Sequence, residues 1–101
     1  MTKFINNPWN PTKNTKEIKV LGKLGEETGE LSSAASRCII QGIENVEPVT
    51  KKSNQEWLED EIADVLACTE LAIEKLGLNK EKILARMAEK KYHLNSWVDL
   101  P

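Results

Sequence analysis

The chain has 101 residues, enough for one domain and too few for two. Hydrophobic residues make up 40%, charged residues 30% and aromatics 5%, the profile of a globular domain built on aliphatic side chains, with no apolar run long enough to span a bilayer. Fourteen basic and 16 acidic side chains give a net charge of -2, which removes any global electrostatic drive toward nucleic acid, so an anionic ligand needs a local cation.

The N-terminus, Met1-Thr2-Lys3-Phe4-Ile5-Asn6-Asn7-Pro8, lacks the apolar segment of a secretory signal, and a cytoplasmic location is the expectation. Residues 1–13 carry Pro8, Pro11 and three asparagines without a period, and read as an irregular arm pinned to the body by Phe4 and Trp9. Asn14 followed by Glu17 predicts a helix start with reciprocal capping. Ile18, Leu21, Leu24, Thr28, Leu31, Ala35 and Cys38 then recur every three or four residues, and the helix should end near Gly42. Gly22, Gly25 and Gly29 inside it each cost about 1 kcal/mol relative to alanine. Either another helix or a ligand approaches the backbone there, or the helix is simply weak.

Residues 43–52, with Pro48 and paired lysines, read as a connecting loop. Ser53 with Glu56 three residues on is a second capping signature. The helix it opens places Leu58, Ile62, Val65, Leu66, Thr69, Ile73 and Leu76 on one stripe and stops at Gly77. Asn79 caps a third helix carrying Ile83, Leu84, Met87 and Ala88, predicted to fade around residue 95 and leave residues 96–101 as a tail. No strand-period alternation is sustained, so the expected fold is all-α, in a single domain over 1–101. Cys38 and Cys68 fall within apolar-periodic stretches and read as small core residues rather than as a bridge or metal ligands. So small a chain buries only about 60 to 65% of its unfolded surface, and self-association is expected.

Charge is distributed unevenly along these helices. From Ser53 to Glu74 there are seven acidic residues and no lysine or arginine, although opposite charges at i,i+4 stabilise a helix by about 0.2 to 0.5 kcal/mol per pair. At 100° per residue, Glu26, Glu27 and Glu30 gather on one flank of the first helix with Lys23 among them, and Glu61 and Asp64 share a flank of the second with Trp57, Cys68 and Ala72. Carboxylates drawn into a partly buried seam must be protonated, paired or bound to a cation. Two acidic residues at i,i+3 on each of two packed helices can supply four oxygen ligands to a hard divalent ion, and magnesium suits because it keeps sites for water and phosphate. A solvated acidic face that binds nothing fits the same spacing. Di-iron bundles use Glu-x-x-His units, whereas the single histidine here, His93, has no acidic residue three positions before it. Between residues 75 and 91 the charge reverses, with Lys75, Lys80, Lys82, Arg86, Lys90 and Lys91 against Glu81 and Glu89. These cations could meet phosphate or form salt bridges to the acidic helix.

Lys23-Leu24-Gly25-Glu26-Glu27-Thr28-Gly29-Glu30-Leu31, followed by Asp60-Glu61-Ile62-Ala63-Asp64-Val65-Leu66, resembles the Glu-Glu-x-x-Glu and Glu-x-x-Asp signature of the MazG-like all-α nucleoside triphosphate pyrophosphohydrolases, over about residues 16–95. The resemblance implies a helical bundle completed by oligomerisation into a homodimer or homotetramer. It implies a nucleotide substrate, and magnesium, with manganese as a substitute, held by Glu27, Glu30, Glu61 and Asp64. Glu26 matches the glutamate that orients or deprotonates water or supports the metal ligands. Arg86, Lys90, Lys91 and Asn95 are the nearest matches to the family's phosphate-binding residues, and Trp57, with Trp9 and Trp97, is a candidate wall for the base. The expected reaction is cleavage between the α and β phosphates, releasing nucleoside monophosphate and pyrophosphate. Two departures from the family pattern are the 30-residue spacing between Glu30 and Glu61 and the run Asn95-Ser96-Trp97, where relatives place an arginine. From another functional class, a non-catalytic helical module could use the same acidic face for a basic partner.

Overall fold

The computed structural model describes residues 8–101. Among the described residues three helices follow one another: α1, Thr15–Gln41; α2, Asn54–Leu76; and α3, Lys80–Val98. No strand forms among the described residues; the only bridge, Val46 with Ser53, closes the connection between α1 and α2. The all-α expectation therefore holds.

Local chemistry sets the three helix starts and the end of α2. Asn14 Oδ1 accepts from the Glu17 amide at the start of α1. The reciprocal half expected there is absent, because the Glu17 carboxylate instead accepts from the Thr12 hydroxyl at 2.5 Å. At α2 both halves form: Ser53 Oγ accepts from the Glu56 amide, and the Glu56 carboxylate accepts from the Ser53 amide. Gly77, with φ 62°, ends α2 in the left-handed conformation that glycine adopts without a Cβ penalty, and the Leu78 amide returns to the Ile73 carbonyl. Asn79 Oδ1 then accepts from the Lys82 amide and starts α3.

α3 runs further than the sequence suggests. It reaches Val98 rather than fading near 95, because no glycine or proline interrupts it before Pro101, and Trp97 belongs to the helix rather than to a tail. Residues 8–13 form no regular structure, as expected for the arm, but Trp9 is 82% exposed and so is not buried against the body. Phe4, its expected companion, lies outside the described residues.

α1 and α2 form an antiparallel hairpin. The Asn54 side chain at the head of α2 donates to the Gln41 side chain and the Gly42 carbonyl at the tail of α1, and the Cys38 thiol lies 3.7 Å from the Asn54 carbonyl. Both cysteines are free and half-buried, consistent with packing roles. The connection is pinned by Glu47, whose carboxylate accepts from the Val49 and Thr50 amides, and Lys51 adopts a positive φ of 63° to complete the turn. Hydrogen bonds from Thr50, then Val49, hold the Glu47 carboxyl below its ordinary value.

The core of this hairpin is thin. Val20, Ala34 and Ala72 are its buried apolar residues, and among the described residues no large side chain is fully buried. α3 does not pack along either helix of the hairpin as they pack along each other, and every residue of it from 84 to 98 is exposed. The radius of gyration is 18.5 Å, against about 13 Å for a compact domain of this length.

Candidate metal centre

The antiparallel pairing of α1 and α2 brings the two acidic motifs face to face across one side of the hairpin. Glu27 points into the seam and is only 8% exposed, although glutamate is almost never buried without a partner. Glu61 is half-buried opposite it, and Asp64, one turn further along α2, is exposed at the rim. One carboxylate oxygen from each of Glu27, Glu61 and Asp64 falls within 4.8 Å of the others. A cation coordinated at about 2.1 to 2.6 Å sets its opposite ligand oxygens about 4.2 to 5.2 Å apart, so the triad has the dimensions of a divalent-ion site.

Hydrogen bonding leaves the seam unsatisfied. Glu27 Oε2 and Glu61 Oε2 are both buried with no hydrogen-bond partner. Two such oxygens in one seam are costly, since each loses water and faces a like charge. Lys23 offsets part of this, its Nζ lying 3.3 Å from Glu27 Oε1 and 3.4 Å from Glu26 Oε1. The hydrogen bond to Glu27, with the charge of Glu26 next, raises the Lys23 ammonium above its ordinary value. Lys23 reaches the other oxygen of Glu27, however, and the orphaned pair remains.

Glu30, one turn after Glu26 and Glu27, stands at the same place. Its carboxyl is held above its ordinary value, first by the charge of Glu27, then by lost hydration and a further contact with Glu27, and then by the charges of Glu61 and Glu26. The structure thus brings together all five acidic residues singled out in the sequence, with Glu27, Glu61 and Asp64 converging most closely. Glu26, Glu30 and Glu61 line an open groove of about 460 Å³ whose other walls are Gly29, Ser33, Arg37 and Trp57.

Arg37 is the site residue that sequence reasoning missed. It lies two turns beyond Glu30 on the same face of α1, a spacing that carried the signal, but its isolation from other basic residues hid it. It brings a cation to the groove, and Arg37 and Trp57 are shared with a second hollow of about 410 Å³ formed by Gln41, Asn54 and the connecting loop. The Trp57 ring carries the Lys52 ammonium 3.9 Å from its centre and the Arg37 guanidinium at 5.8 Å, and Lys52 also pairs with Asp60. A base stacking on the face that Lys52 covers must first displace it.

Other residues singled out in the sequence lie apart from this groove. Arg86, Lys90 and Lys91 line a separate shallow groove on α3 with Ile83, Met87 and Leu94, and neither they nor the exposed Asn95 reach the acidic groove. Trp97 is on α3 with them. The three glycines of α1 meet no close neighbour, as a Cβ at Gly22, Gly25 or Gly29 would find open space. Of the alternatives offered, close approach by another helix does not occur among the described residues, and only Gly29 borders the groove. No helix is long and apolar enough to cross a membrane among the described residues. No family model, curated protein or solved structure matches the chain.

Proposed function

We propose that the chain is a magnesium-dependent nucleotide hydrolase that cleaves nucleoside triphosphates between the α and β phosphates. The observation that carries this reading is the pair of buried, unpartnered carboxylate oxygens of Glu27 and Glu61, set beside Asp64 at metal-ligand spacing. The nucleotide and the bond cleaved come from the resemblance of the two acidic motifs to the MazG-like signature.

In this reading Glu27, Glu61 and Asp64 hold the ion and Glu30 completes their set. Magnesium, or manganese in its place, supplies neutralisation of phosphate charge, polarisation of the α phosphorus and a lowered pKa for bound water. Glu26 faces the groove, steadied by Lys23, and takes the proton of the attacking water as its oxygen bonds to the α phosphorus. The bond from that phosphorus to the bridging oxygen breaks, and pyrophosphate leaves with the electron pair. Arg37 is the groove cation that meets the departing phosphate charge. The edge of Trp57 and the adjoining hollow lined by Gln41, Asn45 and Asn54 offer an apolar surface with amide donors and acceptors to the nucleoside.

A panel of canonical and modified triphosphates, incubated with magnesium, tests the reaction. The expected products are nucleoside monophosphate and pyrophosphate. Removing one ligand in Glu61→Gln should lower kcat/KM at least ~100-fold, beyond the effect of disturbing residues that merely support ligands. Release of orthophosphate alone would overturn the assigned bond. Inactivity toward the whole panel without any magnesium response would favour the acidic face as a non-catalytic docking surface.

A further inference from the structure

Among the described residues, Lys23 is the one lysine or arginine paired with any carboxylate of the acidic seam. Its Nζ stands 3.3 Å from Glu27 Oε1 and 3.4 Å from Glu26 Oε1, both one turn away on its own helix. Arg37, which borders the groove two turns beyond Glu30, lies over the Trp57 ring instead. The Lys23 ammonium is therefore the resident positive charge of the seam.

Two features make this contact exchangeable. Both separations exceed the distance of about 2.7 to 2.9 Å that a well-formed ammonium–carboxylate hydrogen bond adopts. The Lys23 side chain also stays 53% exposed, against 10% for Glu27, so the buried carboxylate takes its orientation from the seam rather than from the lysine. On its other side Lys23 borders an open hollow of about 420 Å³ with Ile18, Gly22 and Leu71, and a Cβ at Gly22 would meet nothing there. The lysine can swing outward without disturbing a packed neighbour.

Glu27 offers its two oxygens to different partners. Oε1 faces Lys23, while Oε2 is buried without a partner, as is Glu61 Oε2. Magnesium ligated by Glu27 at about 2.1 Å comes within about 8 Å of the ammonium. Even at the dielectric constant of water, single and double positive charges at that separation repel enough to weaken binding several-fold. A lysine that merely supported a ligand would act in the opposite direction, because losing such support typically costs about 10- to 100-fold in metal affinity.

We propose that Lys23 is an exchangeable internal counter-ion, which neutralises Glu27 in the metal-free chain, opposes a divalent ion there, and yields that carboxylate when the ion binds while keeping Glu26. This rests on the ion site proposed above. The exchange lets the metal-free hairpin fold with fewer bare charges in its seam, and it holds down the affinity of the seam for a free ion.

Lys23→Met tests the exchange, since it keeps an unbranched stem and removes the charge. By calorimetry at low ionic strength this variant should bind magnesium roughly three- to tenfold more tightly than the wild type. Added salt should narrow the difference by screening. In chelator the same variant should melt below the wild type, because Glu26 and Glu27 lose their cation. Tighter ion binding together with a lower metal-free melting temperature is a pair of effects that neither a supporting role nor general damage to α1 produces. Equal or weaker magnesium binding by Lys23→Met, with wild-type binding intact, would overturn the inference and leave the ion site standing. Absence of magnesium binding in both chains would remove the ion site and the inference with it. A second readout needs no variant: limited acetylation followed by mass spectrometry should modify Lys23 faster, relative to the exposed Lys16, once magnesium is added. An unchanged ratio of the two would contradict the exchange.

Discussion

Glu27 is held in the α1–α2 seam with one oxygen paired to Lys23 and the other unpartnered, opposite a second unpartnered oxygen from Glu61. Without a cation this arrangement opposes folding, so neutralising one member should help the apo chain. In the presence of a chelator, Glu61→Gln should melt above wild type; relief of about 1 kcal/mol corresponds to roughly 4 to 8 °C in a domain of this size. Excess magnesium should reverse the order, because only the wild type retains the full ligand set. A variant that melts below wild type under both conditions would contradict the account of the seam. Glu30 gives the pH dependence. Its carboxyl value is raised in the folded chain, chiefly by the charge of Glu27, so the folded state binds this proton more tightly than the unfolded state does. Its contribution to the stability of the metal-free chain therefore falls as pH rises from the ordinary glutamate value of 4.5 through the raised folded value. Carbon-13 chemical-shift titration of the Glu30 carboxyl should place its midpoint above 4.5 without metal and move it down when magnesium is added.

At the scale of the elements, capping chemistry determines where the helices begin and end. Asn14, Ser53 and Asn79 start them, and Gly42 and Gly77 end the first two, all five legible in the sequence because cap residues act through near neighbours. The end of α3 was less legible, since no glycine stands near residue 95 and the helix continues to Val98. Within the site, the i,i+3 pairs Glu27–Glu30 and Glu61–Asp64 could be placed on helix faces from periodicity. Arg37 and the Lys52–Trp57 contact depend on how the hairpin and its connection pack, which periodicity does not encode. The glycines of α1 show the same limit, because their cost was visible in the sequence but the open space around them was not. Gly25 meets nothing and does not line the groove, so Gly25→Ala should stabilise α1 by up to about 1 kcal/mol, seen as a higher melting temperature with unchanged activity. A lower melting temperature would mean that a second copy approaches α1 closely at that turn.

For the whole molecule, the described residues include three buried apolar side chains and a helix in solvent along most of its length, so the core within one chain is thin and rests on the α1–α2 hairpin. The acidic seam belongs to the hairpin, and its chemistry is the central claim. Calorimetric titration of magnesium, and of manganese beside it, into metal-stripped wild type and Glu61→Gln tests that claim most directly. Saturable binding by the wild type, lost or weakened at least ~100-fold in Glu61→Gln, is the predicted result. Equal heats for the two proteins, or no binding by either, would contradict it.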